Sequence, residues 1–314
     1  MTILFAAAVL PAIALLAYVY HKDKVEKEPI GLIVRLFVIG AVSGPIAAII
    51  ETVLFQVFEA AIPPGGFLLF MEYFVGVAMV EEGVKYLGLS TTRKSREFNY
   101  VFDGVVYAVA VSLGFAALEN VLYVFDGGME VAVTRAIFSV PGHCADGVVM
   151  GCFYGLARQR EVFGNKSGAK TYYLLAFLLP VIEHGFYDAA LSSESEPLAY
   201  LAMAVELAFI VFAFILVNRM SKNDSPIMQA YESNGFQAAQ NVYQKNMGVQ
   251  QGVQPNAAQW QQPQQPQQTQ WQQPQGQVPQ QAQWPSQGQA PQQAQYQQPQ
   301  GQAPQSPEIR GPRS

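Results

Sequence analysis

The sequence predicts an all-α protein, a polytopic bundle of about seven transmembrane helices with a disordered C-terminal tail. The 314 residues are 51% hydrophobic with a net charge of −5, but these averages combine two regions of different composition. In the first, long apolar runs alternate with short charged connections, as in multi-pass membrane proteins. In the second, Gln, Pro, Ala and Gly predominate, with too little apolar content for a core. We therefore expect a transmembrane domain at residues 1–224 and a disordered Gln/Pro-rich tail at residues 225–314.

Seven apolar runs define the predicted spans. In chain order they cover residues 3–20, 30–58, 67–89, 100–125, 131–156, 172–191 and 198–217. No basic residue precedes the first run and no small-residue cleavage site follows it, so we interpret it as a retained span rather than a signal peptide. Turns without basic residues separate three of the pairs, at residues 60–66, 126–130 and 192–197.

Lysine and arginine alternate between the two ends of the predicted bundle. The connections after spans one, three, five and seven carry basic residues, whereas those after spans two, four and six carry none. Because basic connections stay in the cytoplasm, we expect a multi-pass protein of the cell membrane. Its N-terminus would lie outside and its C-terminus in the cytoplasm.

Polar residues that can do chemistry occur inside four of these apolar runs. A charge near the centre of a bilayer costs about 2.5–3.5 kcal/mol even on the lenient insertion scales, so retained charges usually have a function. The residues are Glu81, Glu82 and Lys85 in span three, Glu119 with Asn120 in span four, His143 and Asp146 in span five, and His184 and Asp188 in span six.

Carboxylates and imidazoles together are the groups that activate water, either as a general base or by holding a metal. His184 and Asp188 are four residues apart, so they share a helix face and Asp188 can orient the imidazole. Lys85 can pair with Glu81 at i, i+4 or with Glu82 at i, i+3, which leaves open which glutamate is free to act as the base. The i, i+4 pair slightly favours Glu82 for that role.

Other interpretations of the same residues stay open at this point. Glu81 and Lys85 could form an ion pair with a purely structural role. His143 could pack between glycines where two helices approach closely. Asp146 could serve only to orient His143. Arg35, Arg135 and Lys170 lie near span ends, where long basic side chains extend towards the interface. Glu51, Glu183 and Glu206 either line a water-filled cavity or are protonated and hydrogen-bonded. A proton-coupled channel or transporter would use the same carboxylates and histidines.

Four motifs in order resemble those of the PrsW family of intramembrane proteases, distant relatives of the CAAX prenyl proteases. They are Glu81-Glu82-x-x-Lys85, Phe115-x-x-x-Glu119, the intramembrane His143, and His184-x-x-x-Asp188. The resemblance covers roughly residues 30–192 and leaves out the first span, the seventh span and the tail. It implies an integral-membrane endopeptidase that cleaves membrane-anchored proteins, with anti-sigma-factor-like regulators as one substrate class.

The resemblance also implies roles for individual residues. The catalytic set would be Glu81, Glu82, Glu119, His143, His184 and Asp188, with the glutamate pair supplying the base. A divalent metal, with Zn²⁺ as the first candidate, would bind Glu119, His143 and His184, although a metal-free glutamate mechanism stays open. We expect membrane lipid and a membrane-anchored substrate as partners, and no nucleic acid.

Overall fold

The computed structural model describes residues 1–227, and this part of the chain is almost entirely helical. A π-helical segment, Met71–Ala78, joins the third and fourth helices into one continuous rod. The helices are α1 (Thr2–Lys22), α2 (Ile30–Ala61), α3 (Gly66–Phe70), α4 (Met79–Ser90), α5 (Asp103–Ile137), α6 (Ser139–Val162), α7 (Lys166–Leu191) and α8 (Glu196–Lys222). The all-α prediction is confirmed for these residues, and the predicted tail from residue 228 onward lies outside them.

Within residues 1–227, five helical stretches are long and apolar enough to cross a membrane: α1, α2, α7, α8 and the region of α5 and α6. The surface of α2 shows what surrounds them. Val34, Val38, Val42, Ile46 and Val53 are all more than half exposed and recur at helical spacing along one face. In water such a stripe would be an aggregation site, whereas in a bilayer it contacts lipid tails. The protein is therefore a multi-pass membrane protein.

Helices α5 and α6 run antiparallel to each other. Together they span Asp103–Val162, or 60 residues, which is about 90 Å of helix and three times the hydrocarbon thickness. Midway along the pair the Ser112 hydroxyl donates to the carbonyl oxygen of His143 at 2.6 Å. At the far ends, a Cβ on Gly151 would lie 2.3 Å from the carbonyl oxygen of Gly104, so only glycine permits this approach. The stretch is a helical hairpin with α5 buried at its centre.

The chain reverses within the predicted connection at residues 126–130. The helical backbone is interrupted at Gly128, where φ is 75°, and the returning segment brings Arg135 against Glu119 and Asn120. At the basic end, by contrast, α6 extends to Val162 and α7 begins at Lys166, inside the predicted basic loop. Hydropathy marks where the apolar run ends, but Arg, Gln, Glu and Lys are good helix formers. The helices therefore extend past the predicted spans.

The chain after α8 is anchored to the connection between α4 and α5. The backbone N–H of Val101 donates to Ser225 at 3.1 Å, and that of Ile227 donates to Asn99 at 2.6 Å. Ile227 is fully buried. Ordered contacts thus continue past the domain boundary that we predicted at residue 224.

Candidate active site

Four buried side chains from three helices converge inside the bundle. Glu81 and Glu82 come from α4, His143 from α6 and His184 from α7. Each offers a nitrogen or oxygen atom, and these four atoms all lie within 4.8 Å of one another. The residues are separated by up to 103 positions in the sequence, so only the packing of the helices brings them together.

Lys85 lies at the centre of this group and is fully buried. Its ammonium donates to Glu82 Oε1 at 2.7 Å and lies 3.4 Å from Glu81 Oε2. It also lies 3.0 Å from His143 Nδ1 and 4.4 Å from the centre of the Phe115 ring. Lys85 therefore compensates one negative charge of the glutamate pair and holds His143 against it. Both ion pairs proposed from the sequence spacing exist, and the i, i+3 pair with Glu82 is the shorter.

His143 connects Lys85 to Glu119. Since the lysine ammonium can only donate, Nδ1 of His143 accepts from it, and Nε2 then donates to Glu119 Oε2 at 2.9 Å. Glu119 also binds Arg135 at 2.8 Å, and Arg135 Nε donates to Asn120 Oδ1 at 2.7 Å. The expectation that Arg135 extends towards the interface is wrong, because the chain reverses at Gly128 and the returning helix places this residue against Glu119.

His184 lies between two carboxylates. Its Nδ1 is 2.9 Å from Glu82 Oε1 and its Nε2 is 3.1 Å from Asp188 Oδ2. A third carboxylate oxygen, Glu81 Oε2, is 3.8 Å from Nε2. A neutral imidazole donates through only one nitrogen, so with Glu82 and Asp188 both ionised the two short contacts require a ring that carries two protons. The predicted i, i+4 partnership of His184 with Asp188 is present.

A cavity of about 630 Å³ opens beside this group. Glu81, Glu119, His143, His184 and Asp188 line it, whereas Glu82 does not and is fully buried. The six residues predicted for the site are thus all at the cavity or one contact behind it. Helix packing places Glu119 beside His143.

Four more carboxylates line the same cavity, and sequence reasoning did not assign them a role in the site. They are Glu51 on α2, Asp146 on α6, Glu183 on α7 and Glu206 on α8. Each has a buried oxygen without a hydrogen-bond partner among the described residues. Asp146 does not hydrogen-bond to His143, because the two ring nitrogens of His143 contact Lys85 and Glu119. The only signal for these residues was an ionisable side chain inside an apolar run.

The donor set fits a divalent metal in kind. Two imidazoles and two carboxylates are a set that Zn²⁺ accepts, and Glu82 Oε2 is buried without a partner. Lys85 already contacts three of the four residues. A bound cation would therefore displace this ammonium and release a proton from His184. Glu119, predicted as a ligand, is not in the group of four and reaches it through His143.

Comparison with known proteins agrees with this geometry. Residues 28–217 match the family described as PrsW family intramembrane metalloprotease. Protease PrsW of Oceanobacillus iheyensis is 34% identical over 221 residues, covering 70% of this chain and 97% of that protein. Protease PrsW of Geobacillus kaustophilus is 38% identical, covering 59% and 78%. Protease PrsW of Bacillus subtilis is 33% identical, covering 70% and 94%. No solved structure matches. The chain belongs to the PrsW family of intramembrane proteases.

Proposed function

We propose that this protein is an endopeptidase that hydrolyses a peptide bond of a membrane-anchored protein inside the cavity, with Glu81 as the general base. The observation that carries the proposal is the different exposure of the two adjacent glutamates. Glu81 lines the cavity, while Glu82 is fully enclosed and bonded to Lys85 and His184. A base must reach the water that attacks the carbonyl carbon, and Glu81 has that access. Glu82 instead fixes Lys85 and His184.

In this mechanism Glu81 takes a proton from water and passes it to the leaving amine. His184 lies beside Glu81 at the cavity wall, so its ring stabilises the negative charge that develops on the carbonyl oxygen. Asp188 orients His184, and Glu119 with Arg135 orients His143. A metal ion, when bound, would polarise the carbonyl and lower the pKa of water. His143 and His184 would hold it together with a carboxylate of the glutamate pair.

We also propose seven spans, the N-terminus outside and the tail in the cytoplasm. The seven are α1, α2, the rod from α3 through α4, the two arms of the α5–α6 hairpin, α7 and α8. The rod carries the glutamate pair and runs from Gly66 to Ser90, which is long enough to cross. The alternation of basic connections supports the orientation. Anti-sigma-factor-like regulators with one membrane span are the substrate class that the family resemblance suggests.

The test is cleavage of single-span substrates by the full-length chain in lipid vesicles. The double variant Glu81→Gln and Glu82→Gln keeps side-chain size but removes both carboxylates, so we expect it to insert normally and to lose cleavage. Glu72→Gln is the matched control, because Glu72 lies in the same rod but outside the cavity lining. Cleavage by the double variant at a rate near that of the wild type would refute the mechanism. A double variant that does not accumulate in the membrane would instead assign the pair a structural role.

A further inference from the structure

A second group of buried carboxylates lies outside the catalytic cavity, where three connections meet. Asp23 ends α1, Glu28 precedes α2 and Asp103 begins α5. We call these three residues the acidic triad. One side-chain oxygen of each lies within 4.8 Å of the other two. The triad lies at the end of the bundle that carries the basic connections.

The acidic triad is shielded from solvent and has no cationic partner. Its members are only 2%, 2% and 1% exposed. Among residues 1–227, no Lys or Arg nitrogen lies within 4.0 Å of their carboxylates. Lys27 is nearby, but its ammonium donates to the backbone oxygens of Tyr20 and Asp23. Buried negative charges need a compensating charge or a proton.

Neighbouring donors satisfy part of the triad and leave one oxygen open. Tyr107 donates its hydroxyl hydrogen to Glu28. The backbone N–H groups of Asn99 and Tyr100 both donate to Asp103 Oδ2, at 2.9 and 2.7 Å. Asp23 Oδ2 is buried without a partner among the described residues, and so is the side-chain oxygen of Asn99. An open, buried carboxylate oxygen is unusual in a folded protein and indicates a missing partner.

The pKa values of Asp23 and Glu28, the two triad residues that lie in connections between helices, show that a negative charge is unfavourable here. Burial raises the pKa of Asp23 to about 6, although Lys27 partly opposes this shift. Burial likewise raises the pKa of Glu28 to about 7, against the opposing hydrogen bond from Tyr107. Asp224 adds a fourth carboxylate nearby, held by the backbone N–H of Phe102 at 2.9 Å. The surroundings therefore favour an added positive charge.

We propose that the acidic triad binds a hard divalent cation, Mg²⁺ or Ca²⁺. All available ligands are oxygens, the set that these ions prefer, and no histidine or cysteine belongs to the group. The ion would join the end of α1, the entry to α2 and the start of α5. Through Phe102 and Asp224 it would also stabilise the segment that follows α8. This role is structural and independent of the catalytic mechanism.

The first test is thermal unfolding of the full-length protein in detergent, with Mg²⁺ or Ca²⁺ added after chelation. We expect an increase in Tm of roughly 5 °C at a hundredfold excess over Kd. Asp23→Asn, Glu28→Gln and Asp103→Asn each retain an oxygen acceptor for the observed hydrogen bonds but remove a ligand charge. We expect each to lose most of the shift. Glu26→Gln, in the same connection, should keep it, because Glu26 is exposed and outside the triad.

The Glu81→Gln variant distinguishes binding at the acidic triad from binding at the catalytic site. The cation should still raise its Tm, because this substitution changes only the catalytic group of ligands. The proposal would be overturned if the cation did not raise the Tm of the wild type, or if it raised the Tm of all three triad variants as much as that of the wild type.

A second readout needs no variant. Tb³⁺ replaces Ca²⁺ at oxygen sites, and Tyr107, bonded to Glu28, is placed to sensitise its luminescence. We expect a saturable Tyr-sensitised signal from the wild type that Ca²⁺ or Mg²⁺ displaces. A signal that does not saturate, or that millimolar Ca²⁺ and Mg²⁺ leave unchanged, would show surface binding only and would also overturn the proposal.

Discussion

Glu81 and Glu82 are neighbours in the sequence but face different surroundings. Glu81 lines the cavity, whereas Glu82 is enclosed between Lys85 and His184. We expect Glu81→Gln to lower kcat by about 10²-fold or more, the usual loss for a general base, with little change in Tm. Glu82→Gln leaves Lys85 without its closest carboxylate, so it should lower both activity and Tm. Kinetics and thermal unfolding of the two purified variants check this. Equal Tm values with a larger kcat loss in Glu82→Gln would reverse the assignment.

His184 provides the corresponding test for a metal. If the four-residue group holds an ion, purified wild type should contain about one Zn²⁺ per chain, since structural and catalytic zinc sites commonly use such ligands. His184→Ala should lose both the metal and cleavage. His21→Ala is the matched control, because His21 is exposed and its ring bonds only to Ala17 among the described residues. Metal analysis and cleavage after chelation are the measurements. Wild type that cleaves at full rate without metal would support the glutamate mechanism.

The sequence was informative about the site residues because each was a costly exception in an apolar run. All six predicted residues meet at or beside one cavity. It was less informative about their partners. Spacing allowed two pairings for Lys85, and the structure contains both together with a third contact to His143. Arg135 was assigned to the interface and the role of Glu206 was left open, because a single charge on a distant helix has no spacing pattern. Their contacts depend on how the helices pack.

At the scale of elements, the close contact of α5 with α6 builds the site, because α5 supplies Glu119 and α6 supplies His143. The contact needs glycine: a Cβ on Gly151 would lie 2.3 Å from the oxygen of Gly104. Gly→Ala inside a helix usually stabilises by about 0.5–1 kcal/mol. We expect Gly151→Ala to lower Tm instead, because the helices must separate. Gly31→Ala, where a Cβ meets nothing within 4 Å, should leave Tm unchanged or raise it. Thermal unfolding in detergent distinguishes them, and a Gly151→Ala protein as stable as wild type would contradict the packing.

Hydropathy predicted the existence of the helices, but it could not predict their local irregularities. The π-helical segment Met71–Ala78 lies one turn before the glutamate pair, and such segments often occur at functional sites. In the sequence, these residues are typical of an ordinary apolar α-helix. The turn between predicted spans four and five could be predicted, because the Gly127-Gly128 pair is a strong turn signal. In the structure Gly128 takes a positive φ and the chain reverses there.

At the scale of the whole molecule, the basic connections determine the orientation. We expect a reporter fused after Ile227 to be cytoplasmic and one inserted within residues 60–66 to be external, because Lys and Arg favour the cytoplasmic side. Paired alkaline phosphatase and fluorescent protein fusions measure the two locations. A third fusion within residues 163–165, between α6 and α7, is the internal control and should match the first. The opposite pattern would invert the proposed topology and place the acidic triad outside the cell.

The last prediction concerns the chain beyond the helices. Residues from 228 onward are mostly Gln, Pro, Ala and Gly, and all six residues proposed for the site lie before them. We expect a chain truncated after Ile227 to cleave its substrate at the wild-type rate with the same Tm. A chain truncated after Lys222 should be less stable, because it loses the buried Ile227 and the backbone bonds of Val101 and Ile227. Each lost hydrogen bond contributes about 1 kcal/mol, so the difference is measurable by thermal unfolding. If the truncation after Ile227 folds as wild type but cannot cleave a substrate that the full chain cleaves, the tail takes part in substrate recognition.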